Sequence, residues 1–237
     1  MEWSGEATVI AQRKHGEHAV ILDVMSHDQG RIAGMVPGGA SRKRAAMLQP
    51  GNRVSLHWRA RVEGQLGTFA VEPLQARPGL LGDGLALAGL NATTALLLYA
   101  LPERDPHPQL VQASEKLWDA MDAGRDWGVD YLHWEILLLR EMGFGLNLGQ
   151  CAVTVSQADL AYVSPRTGRA VSREGAGEYA ARLMILPEIL GGAGGGLAEG
   201  LTLTGHFLNR YLAQELVGRP IPAARDRLVA RLQRPPK

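Results

Sequence analysis

The chain has 237 residues, of which 46% are hydrophobic and 5% aromatic, and its 25 basic residues nearly balance 24 acidic ones. This length suits one large domain or two small ones, and no apolar run approaches the ~20 residues that a membrane-spanning helix requires. The single cysteine, Cys151, excludes an internal disulfide framework, and the first residues lack the pattern of a secretory signal. We therefore expect a cytoplasmic protein with an aliphatic core.

The near-neutral total hides an uneven distribution of charge. Residues 1–80 carry ten basic and seven acidic residues, a net charge of +3, whereas residues 81–218 carry nine and sixteen, a net charge of −7. Residues 219–237 carry six basic residues and one acidic residue, a net charge of +5. This division predicts that the three segments have different roles, or that the basic tail folds against the acidic middle.

The first third of the chain predicts five short strands joined by turns. They are expected at 7–11, 19–25, 31–36, 53–62 and 68–72, with a short helix at 43–48 and a hairpin-type turn at 63–67. Five strands with one longer connection between the third and fourth are typical of a small Greek-key OB barrel. An SH3-like barrel is the alternative. Pro78, Gly79, Gly82 and Gly84 place the predicted end of this domain at residue 78.

Helical periodicity replaces the strand pattern after this boundary. Helices are expected at 85–101, from Pro108 to Gly124, from an Asp130 cap to Gly143, at 175–190, at 197–217 and after Pro222. Between them, 146–174 is predicted to be a small hairpin-like insert with a Pro-Arg-Thr-Gly turn. The fold class is thus α+β and multidomain, with an OB barrel at 1–78 and an otherwise all-α domain at 79–237.

The stretch from Arg31 to Arg61 is the most distinctive part of the sequence, because it holds seven basic residues and no acidic one. Within it, Val54, Leu56, Trp58, Ala60 and Val62 alternate with polar residues, which predicts one strand face in the core and one in solvent. A basic strand face beside a basic loop is typical of a surface that binds polyanions. The alternative is a solvated sheet face. The candidate binding residues are Arg31, Arg42, Lys43, Arg44, Arg53, Arg59 and Arg61.

Patterns typical of enzymes are incomplete in this sequence. The oligoglycine run 191–196 lacks the G-x-G-x-x-G spacing, and His133-Trp134-Glu135 lacks the P-C-x-x-C partner that zinc deaminases need. Glu135 lies on an apolar helix, where we expect it to pair with an arginine inside the bundle. We therefore expect no catalytic residues, no metal and no cofactor.

Short motifs in a fixed order run along nearly the whole chain. In the first third they are Gly16-Glu17, Gly30-Arg31, Gly38-Gly39, Leu48-Gln49-Pro50 and Gly67-Thr68-Phe69. They continue with the runs 134–139, 143–144 and 205–212, the Cys151 insert, Arg219-Pro220 and Ala223-Ala224-Arg225. In this order the motifs resemble the RecO family of bacterial DNA-repair proteins.

The resemblance implies an OB-fold, a helical domain and a small zinc-finger-like insert. It implies a non-enzymatic mediator that binds single- and double-stranded DNA, anneals strands and, with RecR, helps to load RecA on SSB-coated DNA. In some members of the family the acidic, Phe-ended SSB tail binds the helical domain, but Leu132-His133 stands where relatives carry arginines, so that site is left unassigned. Association with the nucleoid follows from the same resemblance.

The insert departs from the zinc-binding members of that family. Thr154 stands at the second cysteine position after Cys151, and the later pair falls among Val171, Ser172 and Glu174. Zinc held by four thiolates is therefore excluded, and we expect a metal-free insert.

On this hypothesis the seven basic residues of the barrel follow the phosphate backbone. Trp58 and Phe69 are expected to point inward, so binding should depend on charge and not on base sequence. Arg225, Arg227 and Arg231 of the tail are candidates of second rank, either for DNA or for pairing with the acidic bundle. The alternative function is an adaptor whose basic barrel binds an acidic partner protein.

Overall fold

The structure is a computed structural model that describes residues 1–62 and 65–234. The chain divides into two compact units, Met1–Arg125 and Asp126–Lys237. The first unit contains the barrel and three helices that follow it, so the predicted boundary at residue 78 falls where strands give way to helices within this unit. In the described part of the chain no helix is both long enough and apolar enough to cross a membrane.

Five strands form a closed barrel. They are β1 Glu2–His15, β2 Ala19–Ser26, β3 Gly30–Val36, β4 Arg53–Arg59 and β5 Gly67–Gln75, with helix α1 Arg42–Met47 between β3 and β4. The strand order is β1-β2-β3-β5-β4, and β4 pairs back with β1. Only β3 and β5 run parallel. This confirms the OB-like barrel over the SH3-like alternative, whereas positions 63 and 64 of the predicted hairpin turn lie outside the described residues.

Alternation along β4 positions the barrel core as predicted. Val54, Leu56 and Trp58 are buried with Phe69 of β5, because successive side chains of a strand point to opposite faces. A Cβ at Gly67 would overlap the Trp58 indole, so only glycine lets β5 pass this ring. The prediction that Val62 faces the core is wrong. β4 ends at Arg59, and the Val62 side chain is 56% exposed.

Three helices complete the first unit: α2 Gly79–Gly82, α3 Gly84–Ala100 and α4 Pro108–Asp122. Asp83 caps α3 by accepting a hydrogen bond from the amide of Ala86 at 2.7 Å. Arg77 joins these helices to the barrel. Its buried guanidinium donates to Asp119 of α4 at 2.7 Å and to the carbonyl of Gly51 at 2.5 Å.

The second unit combines helices with a small sheet. Its elements are α5 Gly128–Glu141, β6 Leu160–Val163, β7 Ala170–Ser172, α6 Arg173–Ala176, β8 Met184–Ile185, α7 Leu197–Phe207, a π-helix Leu208–Val217 and α8 Ala223–Leu232. The strands form a sheet in the order β7-β6-β8, in which β6 and β7 are an antiparallel pair within 146–174 and β8 adds a third strand. Asp130 lies in the first turn of α5 and is not its cap.

The prediction of a single helix at 175–190 is wrong. Gly177 has φ 46° and ψ −130°, a conformation that only glycine adopts readily, and it ends α6. The chain then forms a 3₁₀ turn at Gly177–Arg182, strand β8 and a second 3₁₀ turn at Glu188–Leu190. The two residues of β8 pair with β6, and this sheet pairing replaces the helix.

A buried ion pair joins α8 to α5 within the second unit. Glu135 of α5 has no exposed surface and Arg225 of α8 is 4% exposed. The guanidinium donates to both carboxylate oxygens, at 2.7 and 2.9 Å, and to the carbonyl of Leu201 at 2.7 Å. The hydroxyl of Thr204 also donates to the carboxylate. The expected pairing of Glu135 with an arginine inside the bundle is thus confirmed.

Candidate nucleic-acid interface

The solvent face of β4 is paired with carboxylates from β1. The antiparallel register places Glu2 opposite Arg59 and Glu6 opposite Ser55, which lies two residues from Arg53 on the same face of β4. Arg59 Nε lies 2.7 Å from Glu2 Oε1, and Arg53 Nη2 lies 2.5 Å from Glu6 Oε2. The two arginines that the alternation places in solvent are therefore neutralised on the barrel surface itself.

Arg31 is also compensated. Its guanidinium lies 3.7 Å from Asp23 and 3.9 Å from Glu103, and its side chain is only 18% exposed. Burial raises the pKa of Asp23 above its usual value, and the positive charges of Arg31 and Arg13 offset part of this rise. The expectation that the stretch 31–61 carries uncompensated charge is therefore wrong for Arg31, Arg53 and Arg59, because carboxylates distant in sequence lie beside them.

The three basic residues of α1 differ from the strand arginines. Arg42, Lys43 and Arg44 are exposed, and the part of the chain that the structure describes offers them no ion pair. Arg44 donates to the carbonyl of Pro37 at 2.7 Å, which holds its side chain against the preceding turn. These three cations are free to attract an anionic ligand.

Two further cations lie at the end of β1, where the first hairpin turns. Arg13 and Lys14 of β1 line the same cavity of ≈270 Å³ as Ala45 of α1. The amide of Ala40 donates to the carbonyl of His18 at 3.1 Å, which joins the loop before α1 to the β1–β2 turn. We call this group the basic tip: Arg13, Lys14, Arg42, Lys43 and Arg44.

Arg13 and Lys14 were absent from the sequence candidates. The signal for them was two adjacent basic residues just before the first turn, at Gly16, which has φ 62°. The α1 residue that lines the same cavity, Ala45, is more than thirty residues away in the sequence, and only the folding of β2 and β3 brings the two segments together.

Arg61 does not join the basic tip. It is exposed just beyond β4, near the start of β1, whereas Lys14 is near the end of β1. The seven sequence candidates therefore form three groups, namely the paired Arg31, Arg53 and Arg59, the free trio 42–44 and the separate Arg61.

The tail candidates also separate. Arg225 cannot contact DNA, because the ion pair with Glu135 buries its guanidinium in the second unit. Arg227 and Arg231 are exposed on α8 and stay predictions. Of the two roles considered for the tail, Arg225 takes the structural one.

The insert around Cys151 is held by hydrogen bonds to sulfur. The amides of Val153, Thr154 and Ser172 donate to Cys151 Sγ at 3.2 to 3.4 Å. Burial raises the pKa of Cys151, but the hydrogen bonds from Ser172 and Thr154 outweigh it and lower this pKa to about 6.

The structure identifies the positions that face this thiol. Ser172 Oγ lies 3.4 Å from the sulfur, and a Cβ at Gly175 would lie 2.9 Å from it. Of the three positions among which the later cysteine pair was expected, Ser172 faces Cys151, and Gly175 lies beside the same sulfur. No group of three or more His, Cys, Asp or Glu residues in the described segments could hold a metal ion.

Comparison with known proteins identifies the family. Residues 1–77 match the family model "Recombination protein O N terminal", and residues 81–220 match "Recombination protein O C terminal". The chain belongs to the RecO family. The DNA repair protein RecO of Paracoccus denitrificans is 66% identical over 233 residues, which cover 98% of this chain and 96% of that protein.

Two further relatives agree over their full length. The DNA repair protein RecO of Cereibacter sphaeroides is 53% identical over 238 residues, and that of Roseobacter denitrificans is 49% identical over 239 residues. Each alignment covers 99% of this chain and 99% of the relative. Membership of the RecO family indicates a role in DNA repair and recombination.

Proposed function

We propose that this chain is a non-enzymatic recombination mediator that binds single- and double-stranded DNA through the basic tip. In this proposal it anneals complementary strands in the cytoplasm, at the nucleoid. With RecR, and by contact with the acidic tail of SSB, it helps to load RecA on SSB-coated DNA. The observation that carries the DNA-binding step is the exposed trio Arg42, Lys43 and Arg44, to which residues 1–62 and 65–234 offer no ion pair, on the helix whose Ala45 shares a cavity with Arg13 and Lys14.

The physical argument is electrostatic. Lysine and arginine that neutralise phosphates release counterions, so the affinity falls steeply with salt in proportion to the number of phosphates contacted. Arginine forks also bind phosphate oxygens in a bidentate manner. Because Trp58 and Phe69 are buried, the barrel face lacks these rings as stacking platforms, and binding is expected to be indifferent to base sequence.

The test is a titration of fluorescein-labelled single-stranded and duplex oligonucleotides between about 50 and 200 mM salt. Replacing Arg42, Lys43 and Arg44 by Ala should weaken single-strand binding on the order of tenfold to a hundredfold at the lower salt concentration. The slope of log affinity against log salt should become shallower by roughly 2 units, since each phosphate contributes about 0.7.

A matched control removes the same number of charges from the second unit. Arg166, Arg169 and Arg182 are exposed there, and their triple Ala variant has the same net charge as the tip variant. This control should keep the wild-type slope. An unchanged slope in the tip variant would exclude α1 from the interface. Repeating the titration with an acidic, Phe-ended peptide examines the SSB-tail contact separately.

A further inference from the structure

The cavity at the basic tip has an aliphatic floor. It is bounded by the end of β1, the start of β2 and α1, and Val20, Gly39, Ala40 and Ala45 line it. Val20 is 4% exposed, so the floor is part of the barrel core surface and not a solvated loop. Such a floor disfavours a phosphate, which would lose its hydration there, and favours a flat apolar face.

The walls of this cavity supply polar groups of a particular kind. Gln12 lines it, and a carboxamide offers both donors and an acceptor, so it can hydrogen-bond to the edge of any nucleobase. Arg13 lies between Gln12 and Lys14 on β1, so its side chain points to the opposite strand face, where its charge acts on Asp23. A site without a fixed hydrogen-bond pattern does not select one base.

Cations stand on both sides of the cavity. Lys14 lies on the strand side. On the helix side, Arg42 precedes Ala45 by three residues and therefore lies on the same face of α1. The arrangement is an apolar hollow of ≈270 Å³ between two sources of positive charge. A nucleotide has the matching chemistry, with a flat base between two phosphates.

We propose that this cavity takes one unstacked nucleobase of a single strand while Lys14 and Arg42 contact the flanking phosphates. The proposal rests on the proposed DNA binding and deepens it. A base in a duplex is paired and stacked, and it enters such a pocket only after the cost of extruding it. The cavity therefore strengthens binding of single strands and leaves duplex binding to the cations alone.

The experiment fills the cavity without changing any charge. Ala45→Leu places a larger side chain at the cavity wall, and both residues are good helix formers. Ala46→Leu is the matched control, because Ala46 is the next residue of α1, is exposed and does not line the cavity. The full-length protein is titrated with labelled oligothymidylate, with an abasic oligonucleotide of the same length and with a duplex.

We expect the wild-type protein and Ala46→Leu to bind oligothymidylate about fivefold more tightly than the abasic strand, near the lower limit for an aromatic stacking platform. Ala45→Leu should remove this preference and leave the abasic and duplex affinities unchanged. Gln12→Ala, which opens the cavity instead of filling it, should reduce the same preference and serves if Ala45→Leu does not fold.

Three results would overturn the proposal. The first is a full preference for oligothymidylate in Ala45→Leu and Gln12→Ala. The second is an equal loss of affinity for all three nucleic acids in Ala45→Leu. The third is that Ala45→Leu keeps its affinity for DNA but no longer binds an acidic peptide, which would assign the cavity to a protein partner. If the wild-type protein binds none of the nucleic acids, the proposed function itself fails, which is a distinguishable outcome.

Discussion

The arginines of β4 and the basic residues of α1 belong to the same barrel, yet their electrostatic surroundings are opposite. Arg53 and Arg59 point to solvent beside Glu6 and Glu2 of the neighbouring strand. The residues 42–44 of α1 stand on a short helix outside the sheet, with no strand register to place carboxylates opposite them. Positive charge in a sequence therefore indicates a binding surface only where the fold leaves it unpaired.

The buried Arg225 is the extreme case of a paired arginine, and its replacement has the largest expected effect. Arg225→Ala would leave the Glu135 carboxylate buried without its partner, which costs about 3–5 kcal/mol of unfolding free energy. Urea unfolding followed by circular dichroism measures this change. The double variant Arg225→Met with Glu135→Leu should recover most of the loss, because a well-packed apolar pair often replaces a buried ion pair without cost. A loss below about 1 kcal/mol in Arg225→Ala would contradict the structural role.

Removing the acidic partners should convert the paired strand face into a binding face. Glu2→Gln with Glu6→Gln frees Arg59 and removes the nearer of two carboxylates beside Arg53, whose Nε also lies 3.8 Å from Glu115 Oε1, while keeping the size of the side chains. We expect single-strand affinity at low salt to rise about threefold to tenfold and the salt slope to steepen by roughly 0.7 to 1.4 units, since Arg59, and Arg53 to the extent that Glu115 leaves it free, can neutralise further phosphates. Fluorescence anisotropy at several salt concentrations tests this, with Glu178→Gln and Glu188→Gln in the second unit as the charge-matched control.

The smallest effect is expected for Arg59→Ala. The ion pair with Glu2 is exposed, with 68% of the arginine side chain accessible, so it contributes about 0.2–1 kcal/mol to stability. Because its charge is already offset, DNA affinity should change less than about twofold. A loss as large as that of the variant lacking the charges of 42–44 would show that the two regions bind DNA together and would end the distinction between them.

The sequence predicted the barrel because its signals are local. The alternation of Val54, Leu56 and Trp58 has the period of a strand, and turns at Gly16 and Gly30 separate the strands. The pairing of Glu135 could be anticipated for the same reason, since a charged residue on an apolar helix face needs a partner. The sequence did not indicate which arginine would be the partner of Glu135.

What the sequence left open depends on register and on distant neighbours. Glu2 and Arg59 are 57 positions apart, and only the antiparallel pairing of β1 with β4 brings them within 2.7 Å. In the same way, Arg13 and Lys14 line one cavity with Ala45 of α1 only because the hairpins between them bring the two segments together. The helix at 175–190 was predicted from the helical spacing of its residues. That prediction failed because Gly177 and the pairing of β8 with β6 determine the local structure instead.

The closure of the barrel limits how another molecule can engage it. β4 returns to β1, so along those two strands the backbone amides and carbonyls that an added strand would need already have partners. A protein partner of these strands must therefore dock on side chains or loops instead of extending the sheet. The same closure leaves β1 and β4 without an open edge along their pairing, so a second copy cannot add a strand there.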